Sequence, residues 1–597
     1  MDTLPEEIFL FVCRMLAPIP LLSIDPDENG EEDEYLRPLL HLTHVCRSWR
    51  RTLIDAQSMW SYLILKPSDN VCKNISSVFM ERSGESPLTI IIVTNDIDDV
   101  HRTISAQGRR LFHFQIRMLA PSPAHYSLLF PSATPLLETL SIKYETDAPN
   151  ETEYRKLNPW STRMFHDGPS SLRALQLWPV QYDLPLDSFP ILTHLFLSLD
   201  SVNVECGTLF EDVLSLLART PLLQFFNLHY IQTNGNSLPA SERNLPAMVK
   251  LSRLNRMSVS HTNWEFIGNL LRRLILPLEF NICFTDPPSE GAFNDWKSCA
   301  SRIVNLLCRT AIPSLERLKI CQSRRQVTIT AEGPLSQAPP PRAHGRLALS
   351  TGLPGPGDAP RRRRAHAVSW LASLPTHIPF SSIRVLHLDV EHNPVPLLSS
   401  LLAHAPALAT LVFLFRAHHG TTKTDELAAL DALTAALLVP AADGALPCPQ
   451  LATLGSWIWF PGLVANRGST GDARRALVAA TFAKFAALAT ARARLGRPLR
   501  TLLLAPITLP ERLRPEELQE AAREDGEDGR FGEVLVAAMV EAGIETLRGV
   551  VDEVVWAPDG EGRVELDRLF ATDTAAADEE DLGRAGRYWR IPRGPGA

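Results

Sequence analysis

A chain of 597 residues is several times the usual length of one domain, so more than one structural unit, or an extended repeat array, is expected. Hydrophobic residues at 45% and charged residues at 21% are ordinary globular usage, which excludes wholesale disorder and a fibrous architecture. A net charge of -8 supplies no field that would draw the chain onto nucleic acid or anionic lipid, so neither partner class is expected.

The first predicted element is a helix. Thr3 caps it, Pro5 sits in the first turn where its missing N–H costs nothing, and Glu6 completes a capping box. Leu4, Ile8, Phe11, Val12 and Met15 then share one face, and Pro18 and Pro20 end the helix. The apolar run from Ile8 is not expected to be a secretory leader, because Glu6 and Glu7 stand where basic residues belong and Arg14 interrupts it. No run elsewhere reaches the roughly 18 apolar residues of a membrane span.

Residues 25–34 form an acidic loop. Asp25, Asp27, Asn29 and Gly30 fit the start of a calcium loop, but Leu36 stands where a bidentate Glu is needed, and Pro26 and Pro38 oppose flanking helices. A second helix then carries Leu42, Val45, Cys46, Trp49 and Leu53 on one stripe, with Arg47, Arg50 and Arg51 off it. Short helices of this total length make only a marginal core, so part of their apolar surface is expected to dock on something else.

From Leu137 a template recurs: an apolar residue, two variable ones, a second apolar residue, one variable, and a third. It starts at Leu137, Leu172, Leu192, Leu223, Leu254, Leu271, Leu315, Ile383, Leu408, Leu451, Leu499 and Ile544. The last two apolar positions alternate as in a strand that buries one face, and Pro135, Pro190, Pro221 and Pro313 shape the entry turns. Helical runs such as LFEDVLSLLART lie between copies, so each unit reads as strand, turn, helix, turn. The spacing of copies is irregular, which implies uneven repeats with insertions; unrelated strands of an ordinary α/β domain are the alternative. In a repeat array the residues flanking the middle apolar position line the concave face. Target-binding candidates there are His194, Phe196, Phe225, Asn227, Arg256, Arg273, Arg317 and Lys319, a mixed aromatic and basic set suited to protein recognition.

Residues 322–366 are rich in Pro, Gly and Arg and read as a disordered insert, with Arg361 to Arg364 as either an import signal or a solvated patch. Beyond them the repeats resume over 367–570 with alanine-rich helices, and 571–597 read as a loose tail.

No phosphate-binding GxxxxGK, HExxH or GxSxG occurs, and His41 and His44 lack a third ligand nearby, so no catalytic residue, metal site, cofactor or small-molecule substrate is expected. The nine cysteines contain no CxxC pair and read as reduced thiols of a cytoplasmic or nuclear protein.

LPEEIFLFVCRML, LTHVCRSWRRTL and SMWSYLIL together resemble an F-box, stretched by the acidic loop and covering about residues 1–65. The body, 66–321 and 367–570, resembles degenerate leucine-rich repeats. The resemblance implies an α/β fold in which a short helical F-box precedes an irregular repeat solenoid. It implies a non-catalytic adaptor of a ubiquitin ligase that binds a Skp subunit, and through it a cullin-RING ligase, and brings up a protein target. Adaptor contact is then expected at Leu4, Pro5, Ile8, Phe9, Val45, Cys46, Trp49 and Leu53; for Trp49 and Leu53 an internal-core role fits the stripe equally. A repeat scaffold without a ubiquitin role is the other functional reading.

Overall fold

The computed structural model describes residues 5–16, 31–66, 70–94, 96–118, 130, 132–144, 164–166, 168–178, 184–185, 187–198, 206–231, 248–262, 264–277, 279–284, 315–322, 326–334, 344–352, 370–390, 395–415, 423–440, 446–459, 471–507 and 541–556. They form a mixed α/β fold that divides into two compact units, one within Met1–Pro277 and one within Leu278–Thr574.

The first unit begins with helices α1 (Glu6–Leu16), α2 (Glu31–Val45) and α3 (Arg47–Asp55). The single helix expected through Leu42 to Leu53 is broken at Cys46, whose extended backbone caps α3 while its Sγ accepts from the Trp49 N–H. Arg50 ties the two helices by donating from Nε to the Thr43 carbonyl at 3.0 Å. Contrary to the expectations of an acidic loop reaching residue 34 and of a helix opposed by Pro38, α2 begins at Glu31, taking residues 31–34 as its first turn, and runs through Pro38.

Strand β1 (Tyr62–Leu65), helix α4 (Asn70–Arg82), β2 (Leu88–Thr94), α5 (Ile97–Gln107), β3 (Leu111–Met118), β4 (Thr139–Tyr144), β5 (Ala174–Trp178) and β6 (His194–Ser198) follow. Then come α6 (Cys206–Ala218), β7 (Phe225–Ile231), β8 (Val249–Lys250), β9 (Arg256–Thr262), α7 (Trp264–Arg273) and β10 (Leu274–Ile275). From β1 to β7 each strand pairs in parallel with the next strand along the chain, and β7 pairs with β9. The short strands β8 and β10 pair separately.

The template explains this order. Leu140, Leu175, Leu195, Phe226 and Met257 are buried side by side, and so are Ile142, Leu177, Leu197, Leu228 and Val259 one step further along. Each such side chain contributes about 1.5–3 kcal/mol by leaving water. The first apolar residue of each copy closes an entry turn: the N–H of Leu137, Leu192 and Leu223 donates to the carbonyl three residues earlier, at 3.2, 3.2 and 3.1 Å. Pro135, Pro190 and Pro221 occupy the second position of these turns, where a fixed φ favours the bend. Pro313 lies outside the described residues.

Three further copies of the template carry strands without having been picked out in the sequence: Trp60, Leu63 and Leu65 at β1; Leu111, Phe114 and Ile116 at β3; and, in the second unit, Val551, Val554 and Trp556. Two copies depart from this: Leu271 lies in α7, so its copy is extended only in the two-residue strand β10 at Leu274–Ile275, and Ile544 lies in a helix over 541–548. An apolar pair three apart is also helical spacing, so the first half of the template does not separate the two conformations.

The second unit holds β11 (Glu279–Phe284), β12 (Arg317–Gln322), β13 (Gln326–Pro334), β14 (His344–Gly352), β15 (Val385–Val390), α8 (Val395–Ala403), β16 (Thr410–Phe415), α9 (Lys423–Leu438), β17 (Thr453–Trp459), α10 (Gly471–Arg494), β18 (Thr501–Ile507), α11 over 541–548 and β19 (Glu553–Trp556). From β15 to β19 each strand again pairs in parallel with the next, and β12 joins β15. The segment expected to be disordered, 322–366, contains the antiparallel hairpin β13–β14, which pairs with β12 on one side and β11 on the other. Its strand β13 alternates buried Val327, Ile329 and Ala331 with half-buried Thr328 and Thr330, a period of two that the Pro- and Gly-rich composition around it obscures. Arg361 to Arg364 and 571–597 lie outside the described residues.

Candidate interaction surfaces

On α1, Ile8, Phe11 and Val12 are 49%, 61% and 44% exposed. Positions i, i+3 and i+4 form one stripe, so this is an apolar helix face open to solvent. The opposite side is engaged: Cys13 is buried, and the Phe9 ring meets Trp49 edge-on at 4.8 Å. Val45 and Leu40 are also exposed apolar side chains, and Pro5 and Cys46 are exposed.

Among the expected adaptor contacts, Pro5, Ile8, Val45 and Cys46 are therefore accessible, Phe9 and Trp49 pack on each other half-buried, and Leu4 lies outside the described residues. Leu53 is fully buried, with its carbonyl accepting from the indole of Trp60, so it belongs to the core and not to an accessible surface. Trp60 is also fully buried, edge-on to Phe79 at 4.9 Å and beneath the Arg82 guanidinium at 4.4 Å. Phe11 shares the helix stripe read from the sequence, yet it was not picked out as a contact; only the packing of Phe9 on Trp49 shows which flank of α1 is left open.

The second surface is the face of the first-unit sheet opposite the Leu-rich core. Register aligns Gln115, Ser141, Gln176, Phe196, Asn227 and Ser258 in one row across β3 to β9. His113, Thr139, Ala174, His194, Phe225 and Arg256 form the row beside it. Arg117, Lys143 and Trp178 begin a third.

This face is not the open concave surface expected. His194, Phe196 and Phe225 are buried, at 4%, 1% and 7% exposure, and Asn227 and Arg256 are half-buried. Rings stack across the strands: His194 on Phe225 at 4.5 Å and Trp178 on Phe196 at 5.5 Å join adjacent strands, and Trp178 on His229 at 5.1 Å reaches from β5 to β7. Burial pushes the His194 imidazole down to about 3 and lowers His113 in the same way, the Glu138 charge partly offsetting the latter. Both rings are therefore neutral near pH 7. Ser141 donates to the Gln176 Oε1 at 2.8 Å.

Arg273 is the last residue of α7, one position before the short strand β10, and is not itself a strand residue. Arg317 and Lys319 lie in the second unit, half-buried on β12; Arg317 stands opposite Glu332, and Lys319 between Thr330 and His387. The target-binding set expected from the sequence is thus dispersed over a buried sheet face, a helix end and the other unit.

No family model matches the sequence, and no curated protein is similar to it. The surfaces themselves carry the functional reading. Among the described residues no three His, Cys, Asp or Glu side chains gather as a metal-ligand set, and no helix is long and apolar enough to cross a membrane.

Proposed function

We propose that this chain is the substrate-recognition subunit of a Skp-cullin-F-box ubiquitin ligase. The observation that carries the proposal is the open stripe Ile8, Phe11 and Val12 on the first of a set of short helices, immediately ahead of strands that each pair with the next along the chain. An apolar helix face left in water is a docking element, since covering it recovers about 25 cal/mol per Å².

In this reading α1 to α3 form the F-box, and the Skp subunit covers Pro5, Ile8, Phe11, Val12 and Val45. The consecutive parallel strands are turns of an irregular leucine-rich-repeat solenoid that carries the target. The chain performs no bond chemistry; it raises the effective concentration of target lysines at the ligase's charged enzyme.

Co-expression of the full chain with a Skp adaptor tests the proposal. The wild type is expected to co-purify, and Phe11→Asp with Val12→Asp to abolish co-purification at unchanged folding. Absence of the complex, or a complex indifferent to both charges, leaves the repeat scaffold without a ubiquitin role as the reading.

A further inference from the structure

The arginines of α3 make an exposed face of one sign. Arg47, Arg50 and Arg51 stand at i, i+3 and i+4, opposite the flank that carries Trp49 and the buried Leu53, and all three are exposed. His41 and His44, three apart on α2, are exposed as well, and Arg50 joins the two helices by bonding to His44. No Asp or Glu occurs from His41 to Ile54. Among the described residues the guanidinium groups of Arg47 and Arg51 have no ion pair or hydrogen bond. In a chain of net charge -8 such a face is a local feature and not a reflection of composition.

Arg50 is fixed before any partner arrives. Its Nε donates to the Thr43 carbonyl at 3.0 Å, and its Nη2 donates to the His44 Nδ1 at 3.0 Å, since a guanidinium has no acceptor. A side chain held in this way loses little freedom when it engages a further group. Guanidinium and carboxylate match as a two-pronged pair, so the protein surface that fits three such groups on one helix face is a run of Asp and Glu side chains. The face also adjoins the proposed docking surface, because Val45, which the adaptor covers in that reading, is exposed between His44 and the Cys46 cap of α3.

We infer that the Skp adaptor meets this face with an acidic segment, so that charge pairing at Arg47, Arg50 and Arg51 sets the rate of assembly while the apolar stripe of α1 sets the lifetime of the complex. The inference rests on the reading of α1 to α3 as the adaptor's docking site. Exposed ion pairs add little affinity, but opposed charges steer the encounter and do so less as salt screens them. The two parts of the surface therefore leave different kinetic signatures.

The test measures association of the purified full chain with a Skp adaptor in sodium chloride from about 50 to about 500 mM. The wild-type on-rate is expected to fall at least about tenfold over that range. Arg47→Glu with Arg51→Glu spares the ties of Arg50; in dilute salt it should lower the on-rate at least about tenfold and change the off-rate less than about threefold, at unchanged melting temperature. Arg47→Lys with Arg51→Lys keeps the charge and should keep the wild-type on-rate. Arg109→Glu with Arg253→Glu makes the same change of charge at two exposed arginines elsewhere in the first unit and should leave the on-rate within about twofold. An on-rate indifferent to salt and to the α3 charge reversals, or slowed equally by both pairs of reversals, would overturn the inference while the ligase reading stands. Retention of the wild type, but not of Arg47→Glu with Arg51→Glu, on phosphatidylserine vesicles or single-stranded DNA would also overturn it, since the face would then serve another class of polyanion. Absence of a complex at every salt concentration removes the ligase reading and this inference together.

Discussion

The indole Nε1 of Trp60 donates to the main-chain carbonyl of Leu53 across 2.7 Å, tying the end of α3 to the start of β1. Both residues are fully buried, so this bond fixes how the N-terminal helices meet the first strand. Trp60→Phe keeps the ring contact with Phe79 but leaves the Leu53 carbonyl unpaired, at a cost of about 1–3 kcal/mol. Hydrogen exchange should speed up at the C-terminal turn of α3 and in β1, while β15 to β18 stay protected.

The two flanks of the N-terminal helices should respond in opposite ways. Leu53→Ala removes a fully buried side chain and is expected to lower stability by about 2–5 kcal/mol in urea unfolding. Ile8→Ser and Phe11→Ser alter exposed positions and should change stability by no more than about 0.5 kcal/mol. Equal destabilisation by all three would mean that the α1 stripe is packed.

Acid should weaken the first unit through His194. Its folded pKa, about 3, lies below the ordinary value of 6.5, so the unfolded chain binds the proton more readily. The associated stability is fully present above pH 6.5 and is lost as pH falls toward 3. By pH 5 the loss is about 2 kcal/mol, since each pH unit below 6.5 costs about 1.36 kcal/mol. Urea midpoints from pH 7 to 5 check this, and His194→Gln should flatten the dependence by the same amount.

In the second unit a buried guanidinium joins helix ends. Arg492 of α10 donates to the carbonyls of Cys448 at 3.1 Å and of Leu437, near the end of α9, at 3.5 Å. Arg492→Ala removes the side-chain donor from both carbonyls, that of Cys448 keeping the Leu451 N–H, and opens a cavity, at an expected cost on the order of 3–5 kcal/mol. Its exchange signature should be centred on the C-terminal turn of α9 and on the entry turn of β17.

Thiol labelling should separate two cysteines. Cys448 is buried, and burial pushes its thiol up to about 12 against the opposing pull of the Arg492 charge. Cys46 is exposed at the cap of α3. Iodoacetamide at pH 8 is expected to modify Cys46 in the native chain and Cys448 only with unfolding or in Arg492→Ala; prompt native labelling of Cys448 would contradict its burial.

Much of the strand pattern was legible because its determinants are local. Leu140 and Ile142, or Leu386 and Leu388, alternate within one strand, and Pro135, Pro190 and Pro221 mark the turn before it. The hairpin β13–β14 was missed because composition averaged over 322–366 outweighed the short alternation of Val327, Ile329 and Ala331. Of the candidate surfaces, the α1 stripe was readable as a helix face, but which flank of that helix stays open depends on the ring of Phe9 lying against Trp49.

By itself the sequence determined where the chain extends, turns and coils, since periodicity, proline and capping act within a few residues. Only the tertiary structure decided what is accessible. The residues flanking each middle Leu leave the Leu-rich core by the geometry of a strand, but whether they then meet water depends on what the neighbouring strands set against them, as Phe225 stacks on His194, Trp178 on Phe196 and Ser141 bonds Gln176. His194, Phe196 and Gln176 are buried, while Phe11 and Val12 on α1 are open.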